Sequence, residues 1–155
     1  MDYLDPVHPA RTQPIYTPPG GPGEVPLPSR EILPAVGEAG VFALLAKLYE
    51  YLEASPLRPM FAADMPAASR RSAAFFVQLL GGPPLYNQAY GPPRMRQRHF
   101  PFEIDGQARD LWLAAFDRAL EFAQAELGFP SEHVPGFRAF LAGFSGWMVN
   151  VAPER

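Results

Sequence analysis

The stretch "GPPRMRQRHFPFEI", Gly91 to Ile104, holds three arginines, a single histidine, three prolines and two phenylalanines in fourteen residues. Phe100 and Phe102 flank His99 with apolar surface, which predicts a ring at the edge of the core. There a neutral imidazole can bond backbone through one nitrogen and offer the other to a metal. A solvated or backbone-bonded histidine is the alternative reading.

The surrounding chain narrows the choice. With no cysteine, and His8 and His133 as the only other histidines, zinc has no ligand set here, because one histidine cannot hold it. A lone protein ligand makes sense where another group completes the coordination sphere. Haem does so, since its porphyrin supplies four nitrogens and a proximal histidine the fifth ligand.

Four helical patterns surround the loop. In "GVFALLAKLYEYLEAS" (40–55), Val41, Leu45, Leu48, Tyr49 and Leu52 share one face at three- and four-residue spacing, and Pro56 stops the helix. Residues 66–80 bring Ser72, Phe75, Phe76 and Leu79 together, with Pro66 in the first turn and Gly81-Gly82 as the stop. In residues 105–127, Trp112, Phe116, Leu120, Ala123 and Leu127 form a stripe; Asp110, Asp117 and Glu121 occupy the solvated side, and Asp105 caps the start. Residues 135–151 align Phe137, Phe140, Leu141, Phe144, Met148 and Val151, with Ala139, Gly143 and Gly146 leaving room for close approach of another helix. No strand pattern competes, so the fold class is all-α. Between the second and third helices lie roughly twenty-five residues, long for a connection in a compact domain and typical of a loop that serves a site.

Composition bounds the rest. The 155 residues, 48% of them hydrophobic, suffice for one domain with a sizeable core. A net charge of -3 argues against nucleic acid or an anionic membrane surface as partner. The chain's start carries no basic leader, and no uninterrupted apolar run approaches the ~18 residues of a spanning helix, so the expected location is cytoplasmic. Nine of the twenty prolines fall in residues 1–34, which divides the chain into a proline-rich extension (1–35) and a helical domain (36–155). The extension is either a mobile tail or a polyproline-like strap anchored by Leu4, Ile15, Tyr16 and Val25.

The segments "GEAGVFALLAKLY", "LGGPPLYNQAYGPPRMRQRHFPFEI", "RDLWLAAF" and "MVN", in this order and spacing, resemble a truncated haemoglobin of group II, the O-type branch. The resemblance covers about residues 36 to 152. It implies a two-on-two helical sandwich around haem b, with the usual proximal helix largely replaced by loop. It further implies His99 as the proximal iron ligand, Trp112 and Tyr49 as distal hydrogen-bonding residues, and Phe61 as an aromatic on the haem face. Arg71, Tyr86 and Arg98 fall where such proteins contact the propionates, and Met95 where an apolar side chain lines the proximal side. Two departures stand out. Ala68 occupies a position where other globins often carry a distal histidine, and Ser72 replaces a larger residue, either widening the pocket or adding a hydroxyl. Every aligned haem contact lies beyond Val36, so residues 1–34 are expected to be dispensable for haem binding.

Reversible binding of dioxygen, carbon monoxide or nitric oxide is the function the resemblance implies, as in oxygen transport. Haem-based redox chemistry, such as nitric oxide dioxygenation or peroxidase activity, is a second reading. It would require an external reductase, because nothing in the sequence resembles a flavin or nicotinamide domain. A haem-free helical interaction module is the third.

Overall fold

The computed structural model describes residues 11–61 and 63–153; Leu4 and His8 lie outside the described residues. Its elements are helices α1 (Ile32–Glu53), α2 (Met65–Leu79), α3 (Leu85–Tyr90), α4 (Met95–Arg98), α5 (Gly106–Glu126) and α6 (Val134–Met148), with 3-10 turns at Arg58–Met60 and Ser131–His133. No strand occurs among the described residues. α1 packs on α2 and on α5, and α5 packs on α6. Two helix pairs therefore face each other, a two-on-two sandwich.

α1 begins earlier than the Gly40 that its apolar stripe predicts. A helical turn from Ile32 joins the main helix across a kink at Gly37, whose φ of 73° lies in the left-handed region that glycine enters without a Cβ clash. By length and composition α1 is apolar enough to cross a membrane. In this fold, however, Leu45, Leu48 and Leu52 are fully buried in the core shared with its neighbours. Phe76, Phe116 and Phe137, from α2, α5 and α6, meet at the centre with ring centroids 5.5 to 5.9 Å apart. Tilted aromatic contacts at that range add to area burial.

Caps set the helix starts. The Asp64 carboxylate accepts from Ala67 N at 3.0 Å, and the Asp105 carboxylate accepts from Ala108 N at 2.7 Å, each satisfying a donor that the first turn leaves open. Gly81 follows α2 with φ 96° and ends it. In α2 the deepest side chains are Ala73 and Val77, while Ser72, Phe75 and Leu79 of the predicted stripe are half-buried.

The described part of the extension lies against the domain. Val25 is half-buried on the core, and a Cβ added to Gly143 would stand 2.3 Å from its Cγ2. The small residue on α6 thus receives the extension rather than another helix. Tyr16 is half-buried, whereas Ile15 is 48% exposed and anchors nothing. Polar groups do most of the fastening. Arg96 donates to Tyr16 O (2.8 Å) and to the α6-terminal carbonyls Trp147 O (2.5 Å) and Val149 O (3.0 Å), while its guanidinium lies 4.4 Å from the Trp147 ring centroid. Tyr16 N donates to Asn150 O at 2.9 Å.

Candidate functional site

The long loop folds as α3, a turn through "GPPR", and the single turn α4. Arg94 enters α4 with φ 42°, a left-handed conformation rare for a residue with a Cβ. Arg98 stabilises the preceding turn, its guanidinium donating to Tyr90 O, Pro92 O and Pro93 O at 2.9, 3.1 and 2.7 Å. His99 then caps the C-terminus of α4. Its backbone N–H donates to Met95 O and Arg96 O, and its ring Nδ1 lies 2.5 Å from Met95 O. A carbonyl only accepts, so Nδ1 carries the proton and Nε2 keeps its lone pair. Burial pushes the imidazole below its ordinary pKa, partly offset by the Met95 bond. The ring is therefore neutral at pH 7.

His99 faces a cavity lined by parts of every long helix. α1 contributes Tyr49; the following turn contributes Leu57, Met60 and Phe61; α2 contributes Ala68, Arg71, Ser72, Phe75 and Phe76. Met95, His99, Phe102 and Ile104 come from the loop, Ala108, Arg109 and Trp112 from α5, and Phe144, Ser145 and Met148 from α6. The wall is mostly apolar. Tyr49 meets Phe61 edge to face at 5.5 Å, and the Arg58 guanidinium donates to Phe61 O at 3.4 Å, fixing that turn. Trp112 is half-buried, with its ring 5.1 Å from Phe116 and 6.5 Å from Phe144.

Of the residues singled out in the sequence, His99, Tyr49, Phe61, Ala68, Arg71, Ser72, Met95 and Trp112 meet on this wall. Tyr86 and Arg98 do not. Tyr86 is fully buried beside Phe75 and Tyr90, and Arg98 lies over its ring at 5.6 Å, bound to the loop carbonyls. Sequence reasoning missed Arg109, which lines the cavity while donating to Ser145 Oγ (3.1 Å) and Ala142 O (2.7 Å). Its signal was its spacing. Three residues before Trp112, it shares that face of α5.

The donor set suits one kind of metal group. Among the described residues no cluster of three or more His, Cys, Asp or Glu exists to hold a bare ion. One neutral imidazole in an apolar cavity with two arginines on its wall fits an iron already carried by a macrocycle with acidic side chains.

Comparison with known proteins gives the same answer. The bacterial-like globin family model matches residues 34–134. Group 2 truncated hemoglobin YjbI of Bacillus subtilis (strain 168) is 37% identical over 93 residues, 59% of this chain and 70% of that protein. The structure of phosphate-bound Hell's gate globin IV is similar with a TM-score of 0.77 and 34% identity, over 83% of this chain and 80% of that one. For the truncated oxygen-avid haemoglobin from Bacillus subtilis the TM-score is 0.70 and the identity 33%, over 76% and 98% of the two chains. The chain therefore belongs to the bacterial-like globins, as a group II truncated haemoglobin, a family of haem proteins that bind small gaseous ligands.

Proposed function

We propose that this chain binds haem b through His99 Nε2 and takes up dioxygen reversibly. One observation carries the reading: a neutral histidine, oriented by its Nδ1 bond to Met95 O, shares an apolar cavity with Trp112 and Tyr49. The oxygen avidity of the similar Bacillus subtilis haemoglobin supports it. Haem supplies four porphyrin nitrogens and an iron with a position for a small ligand. The chain supplies the rest. Arg71 and Arg109 offer guanidinium groups to the propionates. Phe61, Phe75 and Phe144 exclude water. Trp112 and Tyr49 provide N–H and O–H donors, which the methyl of Ala68 cannot. Arg98 and Tyr86 serve the site by holding the loop that carries His99.

The test is spectroscopic. Haem-loaded protein, reduced and exposed to dioxygen, should form an oxygenated spectrum that reverts under inert gas over repeated cycles. Rapid irreversible oxidation on the first exposure would count against a carrier. Sustained consumption of nitric oxide or peroxide with a supplied reductant would instead place the chain among haem redox enzymes.

A further inference from the structure

Asn150 is fully buried just beyond α6, and its groups converge on the loop around His99. Its Nδ2 donates to His99 O at 3.2 Å, its Oδ1 accepts from Ile104 N at 3.0 Å, and its backbone N–H donates to Ile104 O at 2.9 Å. The same Oδ1 accepts from Arg11 at 2.8 Å. Arg11 also donates to Phe100 O (3.0 Å), Phe102 O (3.1 Å) and Asn150 O. The carbonyls one and three residues after His99 are thus tied to a cation from the extension. Thr12 and Gln13 continue the attachment, both bound to the Glu103 carboxylate.

We propose that Arg11 is a positioning residue for His99, clamping the proximal loop through Asn150 and the carbonyls of Phe100 and Phe102. The proposal rests on His99 being the iron ligand. Four acceptors from the proximal loop and Asn150 meet one guanidinium, and bonds to a charged donor are stronger than neutral ones. α4 is a single turn and cannot hold His99 by its own length. The loop lacks the long proximal helix that would otherwise fix the imidazole, and the extension takes over that duty. This reverses the expectation that residues 1–34 are dispensable, which counted only direct haem contacts.

The experiment compares wild type, Arg11→Ala, Arg11→Lys and Val25→Ala as full-length haem-loaded proteins. Val25→Ala loosens the extension at α6 without touching the loop. Three quantities are read: the iron–histidine stretching band in ferrous protein, haem transfer to an acceptor globin, and hydrogen exchange at the Phe102 and Ile104 amides. In Arg11→Ala the band should shift or broaden, both amides should exchange faster, and haem should leave about tenfold faster. Arg11→Lys, keeping charge without the fork, should fall between it and wild type. An unchanged band and exchange pattern in Arg11→Ala would overturn the proposal, and so would an equal effect from Val25→Ala. A wild-type protein lacking the iron–histidine band would overturn the reading of His99 itself, and this proposal with it.

Discussion

Ala68 shapes the chemistry of the pocket by what it lacks. Its methyl lines the cavity and donates nothing, so under the proposed function polar contact with a bound ligand falls to Trp112 and Tyr49. An indole N–H is a donor only and cannot compete for iron through that atom. Trp112 is also well placed to stay put, wedged between Phe116 and Phe144. Replacing Trp112 with phenylalanine keeps a ring and removes the donor. A hydrogen bond to a charged acceptor is worth about 1.5 to 3 kcal/mol, roughly ten- to a hundredfold in rate. Stopped-flow measurement should show dioxygen leaving Trp112→Phe faster by about that factor, with carbon monoxide, the less polarised ligand, responding weakly. Tyr49→Phe should act in the same direction. A wild-type dioxygen release rate in Trp112→Phe would reduce the indole to a packing residue. Ser72 also lines this wall.

The proximal loop joins sequence, local geometry and function at the level of elements. Its length marked it as serving a site, and proline, glycine and the left-handed Arg94 keep it from becoming one long helix. Apolar periodicity exposed the four main helices because burial repeats at the helical period. Periodicity has nothing to say about a loop, nor about Arg11, whose long-range partners are the carbonyls of Phe100, Phe102 and Asn150 and the Asn150 side chain, 89 to 139 residues away. An arginine in a proline-rich tail reads as solvated. The resemblance placed Arg98 at a propionate, and its guanidinium donates to the loop carbonyls of Pro93 and Tyr90. The extension's attachment is also pH-dependent. The Thr12 hydroxyl, then the Thr12 and Gln13 amides, hold the Glu103 carboxyl below its ordinary value. The unfolded chain then binds more protons, so this contribution is complete above the ordinary carboxylate pKa and is lost as pH falls through the folded value. Thermal melts of wild type and Glu103→Gln should differ at neutral pH and converge in acid. A gap that persists below the folded pKa would show that the carboxylate's charge is not what matters.

For the whole molecule, two helix pairs, a loop-borne histidine and the attached part of the extension act as one arrangement around the cavity that His99 faces. The pairs were legible as stripes, and His99 as a histidine followed closely by two phenylalanines. The roles of Trp112 and Tyr49 came from resemblance, because on periodicity alone both are core residues. Arg109 and Asn150 stayed hidden, since their value lies in where distant chain segments meet. Under the proposed function His99 is the side chain that holds the haem iron. His133 is no substitute, its Nε2 lying 2.7 Å from Glu31 Oε2 and its ring absent from the cavity wall. The direct test is the visible spectrum of His99→Ala, loaded with haem, before and after addition of imidazole. The variant should lose the histidine-ligated spectrum, or haem, and regain the wild-type bands when imidazole fills the space left by the ring. A variant that keeps the wild-type spectrum without imidazole would contradict the assignment of His99 as the iron ligand.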